Sequence, residues 1–142
     1  MTEAPRESQK FINLGIVRNA KGEILMIRRV KVEKGSDGKE LLWAFPGGKQ
    51  RISETREEGV RREILAETGY DVRPIKQLSL RIHPQIMILI AYHLCSLNFP
   101  EPVAEPIEQH EVAEIRWVPP AEISKLITTD LDPAVKKELR IV

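Results

Sequence analysis

The chain has a single cysteine, no long apolar run and no excess of charge of either sign, and each shortage excludes something. A lone Cys95 cannot close a disulfide within the chain or build a thiolate zinc site. It lies in an apolar run, which marks it as a buried, inert thiol and not a nucleophile. Lys and Arg total 22 against 21 Asp and Glu, a formal charge of +1, so no bulk attraction to nucleic acid or to an anionic membrane is expected. Any attraction for phosphate has to be local. No apolar stretch approaches the roughly 18 residues of a membrane span, and Met1 to Lys10 lacks the apolar core of a signal peptide. The expectation is a cytoplasmic protein with neither membrane nor nucleic acid as partner. Internal repeats and low-complexity segments are absent too. What is there is 142 residues, 42% hydrophobic, enough for one domain with its own core and too few for two. Residues 1–10, MTEAPRESQK, are polar and read as a flexible N-terminal segment, leaving 11–142 as a single domain.

The most informative stretch is residues 47–70, GGKQRISETREEGVRREILAETGY, where a glycine turn runs into a helix. Thr55 with Glu58 three residues later fits a capping box, and Glu54, Glu57 and Glu58 place negative charge at the positive end of the helix dipole. Gly69 suits a left-handed closing residue, so the spacing predicts a helix over Thr55 to Thr68. Glu63 and Glu67, four apart, share one face with Cβ atoms roughly 5–6 Å apart. Val60 and Ile64 lie beside them, so the carboxylates border an apolar stripe. Two such carboxylates either bind a hard cation or repel each other, and magnesium is commonly held by one or two carboxylates together with substrate phosphates. The alternative is a surface helix laced with ion pairs to Arg56, Arg61 and Arg62. Ahead of it, Trp43 to Lys49 (WAFPGGK) reads as the end of a strand and a tight glycine turn, because Pro46 has no amide hydrogen and glycine permits close backbone approach.

In its joint spacing the chain resembles the Nudix (MutT-like) hydrolase family, whose box reads G-x5-E-x7-R-E-U-x-E-E-x-G-U, U being apolar. Gly48, Glu54, Arg62, Glu63, Ile64, Glu67, Gly69 and Tyr70 fall on its fixed positions without a gap. Ala66 stands where the first glutamate of the Glu-Glu pair is expected, and Tyr70 replaces the more usual aliphatic residue. The WxFPGGK lead-in and EIRWV downstream, Glu114 to Val118, also look like the family.

In chain order, Phe11–Arg18 and Glu23–Arg29 are short apolar runs about Asn19 to Gly22, a hairpin signature. Val32–Glu40 is charged and glycine-bearing, a surface loop or a lid. Asp71–Leu80 and Gln85–Ser96 are candidate strands, and the nearly continuous apolar run Ile86–Cys95 suits a central strand covered on both faces. Asn98–His110 carries three prolines and reads as a long loop, Glu114–Val118 as a short strand, and Ala121–Ile127 and Pro133–Leu139 as helices. Strands about one long helix with terminal helices left over give an α/β layered domain. The resemblance sharpens this to a Nudix-type α/β/α sandwich with a central mixed β-sheet.

The resemblance implies hydrolysis of a nucleoside diphosphate linked to another group, foremost a nucleoside triphosphate, oxidised or non-standard ones included, split to monophosphate and pyrophosphate. Mg2+ is the implied cofactor, with Mn2+ as substitute. Glu63 and Glu67 match the metal-binding glutamates, Glu63 also as base or water-orienting group, and Gly47 matches a backbone-carbonyl ligand. Arg62 is expected to hold a carboxylate, Glu54, from behind. Glu111 is the candidate for a further acid from the loop before Trp117, with Glu108 and Glu114 as alternatives. Arg28, with Arg29 and Lys31 at the same strand end, and Gly48 and Lys49 are candidates for substrate contact, as are Phe45 by stacking on a base and His83 or Tyr92 at the base or sugar. For Arg28, Phe45, His83 and Tyr92 a solvated or core role is the alternative. The partner is a small nucleotide and the protein a monomer or homodimer. Ala66 motivates the competing reading, a Nudix-fold module that binds a nucleotide or a protein with little or no catalysis.

Overall fold

The computed structural model describes residues 7–34, 40–83, 87–107, 111–127 and 131–141. Asn19 begins the first turn by accepting the N–H groups of Lys21 and Glu23 on its side-chain oxygen at 3.0 and 2.9 Å. That turn joins β1 (Glu7–Arg18) to β2 (Ile24–Lys34), with Arg18 opposite Ile24. β3 (Glu40–Ala44) lies antiparallel on β2, and the chain then crosses at Pro46 to β4 (Gly47–Arg51), antiparallel on β1. Helix α1 (Arg56–Thr68) follows, then β5 (Val72–Ile82), β6 (Leu89–Leu97), β7 (Val112–Val118), α2 (Pro120–Leu126) and α3 (Pro133–Glu138). The described strands form one mixed sheet ordered β3-β2-β1-β6-β5, in which β1 and β6 run parallel and β7 pairs with β2.

Strand side chains alternate between faces, and here both faces are apolar. Ile16, Ile24, Met26 and Leu94 pack with Ile123, Ile127, Val135 and Leu139 of the α2 and α3 region. Their neighbours Val17, Leu25 and Cys95 turn the other way, onto Val60 and Ile64 of α1 and onto Val72. The sheet is therefore covered on both sides, an α/β/α sandwich. Truncating the fully buried Ile64 to alanine would cost roughly 2–5 kcal/mol, because it removes contacts from one whole side of this arrangement.

The ends of α1 follow from local chemistry. Thr55 Oγ1 accepts the Glu58 N–H at 3.1 Å while Glu58 returns a carboxylate oxygen to the Thr55 N–H at 2.9 Å. Gly69, at φ 79°, closes the helix by donating to the Leu65 carbonyl. The loop after β6 folds back onto this end, where Ile107 N–H donates to the Ala66 carbonyl at 2.9 Å.

Several boundaries differ from those read in the sequence. β1 begins at Glu7, inside the stretch expected to be a flexible terminus. β2 continues through Lys34, since strand pairing tolerates its charged end, so the expected loop over Val32–Glu40 is strand at its start and residues 35–39 lie outside the described residues. Gly47–Arg51 is a strand, not a tight turn, because β1 supplies it with a ladder on the far side of Pro46. β6 starts at Leu89, not Gln85, with residues 84–86 outside the described set. No helix among the described residues is long and apolar enough to cross a membrane.

Candidate active site

Glu67 lies on the buried face of α1, its side chain 1% exposed. Its Oε1 accepts the Gly47 N–H at 2.7 Å, and its Oε2 accepts Arg29 Nη1 at 3.0 Å. Arg29 Nη2 also donates to the Gly47 carbonyl at 3.4 Å, so β2, β4 and α1 meet at one point. Burial pushes the Glu67 carboxyl up to about 7, with Glu63 adding to the effect, against the Arg29 charge and the Gly47 N–H, which favour the carboxylate. Gly47 has φ 146°, and a Cβ there would overlap the Asn13 carbonyl, so only glycine brings this amide to Glu67.

Glu63, one turn earlier and also buried, accepts Arg62 Nη1 on Oε1 at 2.7 Å. Arg62 uses its other edge on Glu54, Nε to Oε2 at 3.0 Å and Nη2 to Oε1 at 2.7 Å, and it reaches the Lys49 carbonyl at 3.2 Å. Burial alone would raise the Glu54 carboxyl. The Arg62 hydrogen bond, the Arg51 N–H and the nearby charges outweigh it and hold the group below its ordinary value. The Glu54 hydrogen bond likewise raises Arg62. Gly48 is where the chain passes Glu63: a Cβ there would sit 2.7 Å from the carboxyl carbon.

The other candidates are placed less uniformly. Arg28 pairs with Glu114 at 3.6 Å, while the next residue, on the opposite side of β2, goes to Glu67. Glu114 is further occupied by Arg116 at 2.7 Å. Glu111 is exposed just before β7, its carbonyl accepting Val30 N–H at 3.0 Å, which sets it opposite Val30 of β2. Glu108 lies outside the described residues. Phe45 is 4% exposed and packs edge-to-face on Tyr92 at 6.4 Å, so the ring expected to stack on a base fills the core instead. Tyr92 is held from its hydroxyl by Arg81 at 3.1 Å. His83 is buried just after β5, its backbone bonded to Ile88 and Met87.

This fold agrees with what the chain is similar to. A family model described as the NUDIX domain matches residues 13–138. The chain belongs to the NUDIX family. It is 29% identical over 108 residues, 76% of its length, to a Bacillus subtilis protein named "Putative 8-oxo-dGTP diphosphatase". It is 33% identical over 92 residues, 65% of its length, to a Caenorhabditis elegans protein named "Putative nudix hydrolase 1". The match spans 65% of the first relative and 24% of the second. Among solved structures, a MutT protein from Methanosarcina mazei Go1 superposes with a TM-score of 0.62 at 27% identity, over 93% of this chain and 92% of that one.

A Nudix site calls for a divalent cation, and the donors fit one. Glu63, Glu67 and the Gly47 carbonyl are hard oxygens, and a cation beside the buried Glu67 would favour its carboxylate form, as Arg29 already does. Among the described residues no three His, Cys, Asp or Glu side chains gather around a common point. Arg29 was only one of several basic residues at the end of a strand in the sequence. Strand alternation separates it from Arg28, but the partner, 38 residues later, is set by tertiary packing.

Proposed function

We propose that this Nudix domain hydrolyses the diphosphate linkage of a nucleoside diphosphate derivative, foremost a nucleoside triphosphate, releasing the monophosphate and pyrophosphate. The observation that carries the reading is the pair Glu63 and Glu67, one helical turn apart, each held by an arginine, with Glu67 also held by the Gly47 N–H and Glu63 lying against Gly48. Bound Mg2+, with Mn2+ as substitute, would neutralise charge developing on the phosphate oxygens and lower the pKa of an attacking water. Glu63, Glu67 and the Gly47 carbonyl would hold it. Arg62 keeps Glu63 in place, with Glu54 fixing Arg62 from behind. Glu63 would accept a proton from, or orient, the water. Exposed Glu111, next to Val30, remains the proposed further acid, joining once substrate and cation are bound.

The similarity to a protein named for 8-oxo-dGTP supports an oxidised purine nucleotide as the first substrate to try. Ala66, at the position of a third glutamate, supports the second reading, a nucleotide- or protein-binding module with weak turnover. A cytoplasmic location and a monomeric or homodimeric state go with either. The test is a panel of nucleoside triphosphates, oxidised nucleotides, dinucleoside polyphosphates and ADP-ribose with Mg2+, scored for pyrophosphate against phosphate. Pyrophosphate with monophosphate is expected. Tight binding with no product from any of them favours the module.

A further inference from the structure

Beneath the start of α1, the buried Asn13 and His93 and the half-buried Gln50 form a hydrogen-bond chain whose direction follows from one end. Gln50 Nε2 lies 2.6 Å from the Glu54 carbonyl and 2.9 Å from the Arg51 carbonyl. Carbonyls only accept, so this end of the Gln50 amide must be nitrogen and the other end oxygen. That oxygen faces Asn13, fully buried on β1, which must therefore donate through Nδ2. The remaining Asn13 atom, Oδ1, can only accept, and it lies 2.9 Å from His93 Nε2 on β6. His93 must then carry a hydrogen on Nε2.

The chain continues toward the carboxylates. The loop that Gln50 holds ends in Glu54, whose carboxylate takes the Arg51 N–H at 3.0 Å and two N–H groups of Arg62. Arg62 gives a third to Glu63. Gly59 provides the room: a Cβ there would stand 3.0 Å from Gln50 Oε1, 3.1 Å from Glu54 Oε1 and 3.2 Å from Asn13 Nδ2. Glycine inside a helix is worse than alanine for stability, so at Gly59 the packing of this chain outweighs helix propensity.

We propose that Asn13, Gln50 and His93 are positioning residues, a one-way hydrogen-bond chain from β6 to the Glu54 loop that sets where Arg62 holds Glu63. The role of Glu63 rests on the hydrolase reading above. The direction of the chain does not.

Two measurements test it separately. Long-range 1H–15N spectra of the wild-type protein should show neutral His93 with its hydrogen on Nε2. A hydrogen on Nδ1 would overturn the direction. Asn13→Asp keeps the acceptor for His93 and removes the donor for Gln50. On the substrate identified by the panel, it should lower kcat by on the order of tenfold or more with KM within about twofold. The Arg62 Nε–H resonance should move with it. His93→Gln, which can still donate to Asn13, should recover most of what His93→Leu loses. A folded Asn13→Asp protein with unchanged kcat and an unmoved Arg62 resonance would overturn the proposal. A wild-type protein inactive on the whole panel would count against the hydrolase reading alone, with the His93 and Arg62 resonances still judging the chain.

Discussion

Glu67 Oε1 sits 2.7 Å from the backbone nitrogen of Gly47, twenty residues earlier, and this bond joins α1 to β4 where the chain turns off Pro46. It holds one carboxylate rigidly and leaves the Gly47 carbonyl alongside it, in reach of Arg29. The Glu67–Gly47 part of the site is built on a helix and a strand, which favours precise placement of charge.

Activity should need a divalent cation. The proposed ligands are hard oxygens, so excess EDTA should abolish turnover and added Mg2+ should restore it. Full turnover of a nucleotide substrate in EDTA would contradict the ligand assignment.

Glu111→Gln should slow the enzyme less than loss of a helix carboxylate does. Glu111 is exposed at the strand edge beside Val30 and would act only with substrate and cation in place. Glu114 is already shared by Arg28 and Arg116, so Glu114→Gln should change rate little. The reverse order of losses would mean that Glu114 is the assisting acid.

Ala66→Glu should lower the metal concentration that gives half-maximal activity. Ala66 is 9% exposed, three residues after Glu63 on the same helix, so a carboxylate there adjoins the proposed donors. Alanine is the better helix former, so metal-free stability should not rise. Unchanged metal dependence would place position 66 outside the donor set.

Asp71 offers a pH test of the fold that does not involve the site. Arg61 donates to it at 2.8 and 3.1 Å and Asn98 at 3.0 Å. The Arg61 hydrogen bonds lead in holding its carboxyl below the ordinary value, against burial. A depressed carboxyl stabilises the fold above its unfolded value, and that contribution is lost as pH falls through the folded one. Because Arg61 is half exposed, Asp71→Asn should cost no more than about 1 kcal/mol at pH 7. In denaturant melts the difference should shrink as pH falls below about 4. A difference that persists undiminished at low pH would assign it to packing.

How much of this was legible in the sequence depends on the range of the interaction. Thr55, Glu58 and Gly69 announce both ends of α1, because caps are satisfied by atoms within a turn. Glu54 with Arg62, eight residues apart, is legible only through the family spacing, since no single helical turn joins them. Arg29 with Glu67 is not, since only the pairing of β2 within the sheet brings it over the helix. Phe45 reads as well for a stacking face as for a core residue, and only the position of Tyr92 decides. His93 is hidden inside an apolar strand, and its partner Asn13 inside another, with nothing local to join them.

The most direct test of the account is the rate of pyrophosphate release by Glu67→Gln beside wild type, at saturating substrate and Mg2+, with circular dichroism as the check on folding. The amide keeps the shape and can still accept from Gly47 while losing the charge. A loss of at least about a hundredfold is expected, with the fold intact. A folded Glu67→Gln protein releasing pyrophosphate at the wild-type rate would contradict it.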